Sequence, residues 1–132
     1  MNKFRNLTLI IAAVFLVSGC LGEDKTVTMK VASTAYTSHV DQTSSTPFIG
    51  AWGDKLKPGM KAIAVSRDLI KKGLTHNTKV KIEGLAGEYV VKDKMNKRWT
   101  NKIDIYMGLD NQAAKDWGKQ EVTISFETAE TE

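Results

Sequence analysis

Lys79-Val-Lys-Ile-Glu-Gly-Leu-Ala-Gly-Glu-Tyr-Val-Val-Lys92 is the stretch that decides the fold class. Val80 and Ile82 alternate strictly with Lys79, Lys81 and Glu83, which is the period of a half-buried strand. Gly84-Leu-Ala-Gly87 supplies the residues of a turn, and Glu88-Tyr-Val-Val-Lys92 returns with the β-branched and aromatic side chains that suit a pleated surface. Working outward, Lys61-Ala-Ile-Ala-Val-Ser66 reads by composition as a short buried strand, and Lys102-Ile-Asp-Ile-Tyr-Met107 as another. Val27 to Tyr36 opens the unit and Glu121-Val-Thr-Ile-Ser-Phe126 closes it, both alternating. Asp110 to Trp117 is the one helical segment: Asp110 caps it, Ala113, Ala114 and Trp117 share a face, and Gly118 stops it. Thr37 to Met60, with its Ser/Thr clusters, Pro47, Pro58 and glycines, is mostly loop. The expectation is a mainly β fold, a compact six-stranded barrel with one short helix.

Upstream of that unit the chain changes character. Lys3 and Arg5 precede Leu7 to Val17, an apolar run without a charge. Such a run rises roughly 16 Å as a helix, well short of the ~30 Å hydrocarbon core of a bilayer, and so fits the apolar region of a secretory signal. Val17-Ser-Gly-Cys20 resembles the lipobox of bacterial lipoproteins, in which the cysteine is acylated, carries palmitate or a similar chain, and becomes the new N-terminus. As the only cysteine of the chain, Cys20 has no disulfide partner within it. The expected organisation is a signal peptide over residues 1–19, a lipidated Cys20 with a tether over 20–28, a folded domain over 29–126 and an acidic tail over 127–132. Leu21 is not the aspartate typical of inner-membrane retention, so the expected place is the outer membrane of the cell envelope, facing the periplasm.

Charge narrows the partners. The chain has 19 basic and 15 acidic residues; removing Lys3 and Arg5 with the signal leaves 17 against 15, a net of +2. The basic spots at Lys71-Lys72 and at Lys92, Lys94, Lys97 and Arg98 are interspersed with acids, so nucleic acid is not an expected partner. His39 and His76 lie in separate loops without clustered partners, so neither a metal nor a cofactor is expected. Ser66 before Arg67-Asp68 does not form a nucleophile elbow. Asp41, Asp54 and Asp110 read as turn or cap residues, and Trp117 and Ala114 as core. Trp52, Phe48 and Tyr36 are placed either along a groove or as anchors of the long loop.

Three aspartates stand at strand-associated points: Asp68 after the Ala62–Ser66 strand, Asp93 at the end of Tyr89–Lys92, and Asp104 inside Ile103-Asp-Ile105. Alternation puts Ile103 and Ile105 on one face and Asp104 with Tyr106 on the other, and favours an exposed Asp104. Beyond this the residues resemble a known family. Thr34-Ala-Tyr36, Thr46-Pro47, Gly53, Ala64-Val-Ser-Arg-Asp68, Gly73 to Gly84, Gly87 to Asp93, Lys102 to Gly108, Ala114, Trp117-Gly118 and Val122-Thr-Ile124 follow in order the pattern of the three-aspartate domain. That domain is a double-psi β-barrel found in cell-wall-associated bacterial proteins, including membrane-bound lytic transglycosylase A and the stationary-phase survival proteins.

The resemblance implies that Asp68, Asp93 and Asp104 gather in one groove that contacts peptidoglycan glycan strands, with Asp104 as catalytic acid/base. A lytic transglycosylase cleaves the β-1,4 bond between N-acetylmuramic acid and N-acetylglucosamine using the muramic 6-hydroxyl as nucleophile, so one carboxyl can protonate the leaving oxygen and later accept the hydroxyl proton. Burial and the neighbouring aspartates would raise the pKa of Asp104 as this role requires. The chain departs from the family between its last two aspartates. The usual Asp-Thr-Gly-Gly-Ala-Ile-Lys-Gly-Asn-Arg-Ile-Asp is here Asp93-Lys-Met-Asn-Lys-Arg-Trp-Thr-Asn-Lys-Ile-Asp104. Glycines that allow close approach of a ligand are replaced by bulk. Either Trp99 stacks on a sugar while Arg98 or Lys94 meets a peptide-stem carboxylate, or Trp99 and Met95 plug the barrel end. The first arrangement fits an enzyme with Asp104, Asp68, Asp93, Trp99, Arg98 and Tyr36 at its site; the lost glycines fit a wall-binding lipoprotein without turnover.

Overall fold

The structure, a computed structural model, describes residues 25–38 and 49–128. The expected signal peptide, Cys20, His39, Asp41, Thr46, Pro47, Phe48 and the last four residues of the tail lie outside the described residues. The elements are β1 (Lys25–Tyr36), β2 (Ala62–Val65), α1 (Arg67–Lys71), β3 (Lys79–Ile82), β4 (Tyr89–Lys94), β5 (Lys102–Tyr106), α2 (Asn111–Trp117) and β6 (Gln120–Thr128). The strands close into a barrel in the order β1-β5-β2-β4-β3-β6. β1 with β5 and β2 with β4 are parallel; the other four neighbours are antiparallel. Closure leaves no unpaired sheet edge.

Alternation explains the core. Val80 and Ile82 of β3, Val122, Ile124 and Phe126 of β6, Ile103 and Ile105 of β5, and Val31 of β1 all point inward and pack with Ile63, Val65 and Val91. β2 is buried on both faces, which its uninterrupted Ala-Ile-Ala-Val run reflects. The turn between β3 and β4 uses Gly84 and Gly87 at φ of +89° and +80°, a region costly for residues with a Cβ. α2 is capped as its sequence requires: the Asp110 side chain accepts from the Ala113 amide at 2.9 Å. Trp117 packs on the core and donates through Nε1 to the Ser33 hydroxyl at 3.1 Å.

Three sequence expectations are corrected here. Among the described residues there are two short helices, not one: α1 places Leu69 in the core at 0 % exposure, and its five residues are too few to show a helical period. β1 begins at Lys25, inside the expected tether, because Lys25 to Ser33 pair with β6. By the same pairing β6 runs on to Thr128, so Glu127 and Thr128 belong to the sheet and not to the tail. Among the described residues no helix is long and apolar enough to cross a membrane.

Candidate active site

Register across four strands builds the site. Asp104 in mid-β5 lies opposite Thr34 of β1 and Ala64 of β2, and Ala64 in turn faces Asp93 of β4. Thr34, Asp104, Ala64 and Asp93 therefore form one row across the barrel wall. Neighbouring strands lie ~4.8 Å apart, so the two aspartate Cα atoms are separated by roughly 10 Å. Only a methyl group stands between them. Tyr36, Ala64, Asp93, Met95, Trp99 and Asp104, with Lys94 and Asn96, line a cleft of about 220 Å³ there.

Alternation sends Asp104 outward, opposite the fully buried Ile103 and Ile105. The exposure expected from that period does not follow, because this part of the outer wall is covered. Tyr36 and Tyr106 pack together with ring centroids 5.4 Å apart, and Leu56, Met60 and Ala62 join them. Burial pushes the Asp104 carboxyl up to about 6, against the pull of the Thr34 hydroxyl and the Lys102 charge, with Asp93 adding a smaller upward push. Thr34 donates to Asp104 Oδ1 at 3.0 Å. Asp93 is raised as well, chiefly by burial, although its Oδ1 accepts from the amides of Ala51 at 2.7 Å and Lys94 at 2.9 Å. The Tyr36 hydroxyl is buried and has no hydrogen-bond partner among the described residues. Burial, then the charges of Asp93 and Asp104, drive its pKa upward, so it stays a neutral donor.

The segment between the last two aspartates forms a second wall. Met95 is pinned by its amide to the Val65 carbonyl at 2.8 Å and by its carbonyl to Arg67 Nε at 3.2 Å. The Trp99 amide closes a turn on the Asn96 carbonyl at 3.0 Å, bringing the indole to the cleft. Lys102 Nζ sits 3.6 Å from the centre of the Trp99 ring, and the Arg98 guanidinium 4.9 Å from it. A cation on an indole face in contact with solvent contributes on the order of 0.5–1 kcal/mol.

Asp68 is not brought to this cleft. Its Oδ2 accepts from the Asn101 amide at 2.9 Å, which ties the end of the 95–101 segment to the start of α1. Burial raises its pKa, but hydrogen bonds from the Ser66 hydroxyl and the Asn101 and Asp68 amides, with the Lys72 charge, more than offset this and hold it below the usual carboxylate range. Arg98 is exposed and reaches Trp99 without lining the cleft. Trp52 is an anchor for its loop. It stacks on His76 at 4.6 Å and 19°, while His76 pairs with Asp54, and Lys92 Nζ lies 3.7 Å from the same carboxylate. The hydrogen bond from His76 is the largest influence that lowers the Asp54 pKa. That anchored loop is what delivers the Ala51 amide to Asp93. Among the described residues no three His, Cys, Asp or Glu side chains gather as metal ligands would.

No protein-family model matches the chain, and no curated protein matches it in sequence. Among solved structures the chain is similar to the Streptomyces papain inhibitor (SPI), with 20% identity and a TM-score of 0.51 over 76% of this chain and 94% of that one. With six closed strands and two parallel pairs, the fold is settled. It is a double-psi β-barrel. An apo expansin of Clavibacter michiganensis also aligns, at 17% identity and a TM-score of 0.46 over 80% of this chain and 52% of that one. A mutant of a Clavibacter michiganensis expansin in complex with cellohexaose aligns at 16% identity with the same TM-score and coverages. The chain thus spans about half the length of the expansins.

Within the double-psi barrel, three contributors to the site escaped the sequence reading: Lys102, the Thr34 hydroxyl and the Ala51 amide. Lys102 and Thr34 each stand two residues from a chosen site residue on the same strand, Asp104 and Tyr36, so period two carried a signal for both. Nothing local marks the Ala51 amide.

Proposed function

We propose that the chain is an exported cell-envelope lipoprotein whose cleft acts on peptidoglycan glycan strands, cleaving the bond between N-acetylmuramic acid and N-acetylglucosamine as a lytic transglycosylase does. One observation carries this reading: a carboxyl in an open cleft, Asp104, is held by burial at a pKa of about 6. A general acid works best when its pKa lies near the working pH. Asp104 would donate its proton to the leaving glycosidic oxygen as the 6-hydroxyl of the muramic unit attacks the anomeric carbon. The resulting carboxylate takes the hydroxyl proton, and a 1,6-anhydro end is left. The internal nucleophile removes the need for a second carboxylate as base or nucleophile, so Asp104 can serve alone as acid/base. Asp93, Tyr36 and Trp99 line the cleft where they can hold the sugars.

The test is digestion of purified peptidoglycan by protein lacking residues 1–20, read by mass spectrometry of released muropeptides. Anhydro-muropeptides are the expected product; their absence, where a known lytic enzyme releases them, rejects the activity. One feature favours binding without turnover: about 220 Å³ is smaller than the ~300–1,000 Å³ of usual small-molecule sites. In that case the protein sediments with the wall and releases nothing.

The anchor rests on Val17-Ser-Gly-Cys20, and the outer membrane facing the periplasm on Leu21. Metabolic labelling with palmitate should mark the wild-type chain and not Cys20→Ala. Equal labelling of the two removes Cys20 as the acylated residue.

A further inference from the structure

Among the described residues, Lys102 is the only charged side chain in the buried class, at 8 % exposure. The ion pairs there all converge on Asp54, and the one hydrogen bond to another side chain that Lys102 makes uses its backbone amide, on Ser66 Oγ at 2.9 Å. The ammonium therefore has the face of Trp99 and no oxygen acceptor among the described residues. The side chain is mostly covered, yet its ammonium keeps contact with solvent, so a ligand oxyanion can reach it. The position fits a ligand. Lys102 shares the outward face of β5 with Asp104, and Trp99, which covers it, lines the cleft. Lys94 lines the same cleft, so cationic and aromatic groups face the pair Asp93 and Asp104.

We propose that Lys102 and its cover Trp99 form a subsite for a carboxylate borne by the sugar in the cleft, so that the protein selects acidic glycans over neutral ones. The inference rests on the glycan reading above and deepens it by naming the substrate class. A carboxylate on Lys102 Nζ makes a charge-assisted hydrogen bond, roughly twice as strong as one between neutral groups. It also cancels the positive charge that draws Asp104 downward, so an acidic sugar leaves Asp104 holding its proton more firmly. Recognition and readiness of the acid are then coupled through one ammonium.

Calorimetric titration of the full chain with two probes tests this. One is a peptide-free tetrasaccharide of alternating N-acetylglucosamine and N-acetylmuramic acid, whose lactyl groups end in carboxylates. The other is the neutral N-acetylglucosamine tetramer. The acidic probe should bind about tenfold tighter or more, the range of a hydrogen bond to a charged group. Lys102→Met, which keeps the apolar stem, should erase the preference for the acidic probe, and Lys102→Arg should keep it. Equal binding of both probes to the wild type, or a preference that survives Lys102→Met, overturns the subsite while leaving the glycan reading in place. Binding of neither probe rejects both.

Discussion

Asp104→Asn should abolish release of anhydro-muropeptides and, at the same time, make the folded protein more stable above neutral pH. The loss of activity follows from removing the proton donor, and general acid–base catalysis of this kind is worth about 10²–10⁴-fold. The gain in stability follows from burial. A carboxyl whose pKa is raised in the folded state supports folding fully below its ordinary value near 3.8, and that support is lost as the pH climbs through about 6. Two pH units of displacement correspond to about 3 kcal/mol above that window. The Asn side chain can still accept from Thr34 but carries no charge to desolvate, so the variant escapes this loss. Urea denaturation of both proteins at pH 4, 5, 6 and 7.5 reads the effect. The stability difference, variant minus wild type, should rise across that range; a flat difference would show that Asp104 titrates normally and would remove the physical basis for an acid at this position. The wild-type rate should also fall above pH of about 6, as the acid loses its proton.

Gly50→Ala is the second large effect, and it reaches the site through backbone. A Cβ at Gly50 would lie 2.2 Å from the Lys92 carbonyl oxygen of β4. That oxygen belongs to a strand paired with β2 and β3 and has little freedom to retreat. The loop must lift instead, and with it the Ala51 amide that donates to Asp93. Overpacking of this kind costs about 1–3 kcal/mol. Losing the Ala51 donor should also raise the Asp93 pKa further, since that hydrogen bond lowers it. Denaturant melts report the first consequence and carbon-detected NMR titration of the Asp93 carboxyl the second. Unchanged stability together with an unchanged Asp93 titration would show that the loop does not depend on this close approach.

Much of the barrel was legible because its strands alternate. Val80 and Ile82, Ile103 and Ile105, and Val122, Ile124 and Phe126 each mark an inward face by period two, and Gly84 to Gly87 marks a turn. The cap at Asp110 was equally local. α1 was not legible, since five residues cannot display a period of 3.6. The same locality misled the reading of Asp104. Its outward direction was right, yet outward is not exposed where Tyr36, Tyr106 and Leu56 cover the wall. Asp68, Asp93 and Asp104 look alike as strand-associated acids, but Asp68 holds the Asn101 amide while the other two line the cleft.

What the sequence by itself determined is therefore the class of fold and the facing of most strand residues, both of which depend on spacing along the chain; Asp68, Asp93 and Asp104 became candidates through the family resemblance. Only the tertiary structure decided which acids meet, how deeply Asp104 is buried and what covers Lys102. Those depend on barrel closure, which sets Thr34, Asp104, Ala64 and Asp93 side by side across strands far apart in the chain. Desolvation, the force that lifts Asp104 to about 6, is a property of that assembled wall and of no single stretch of residues.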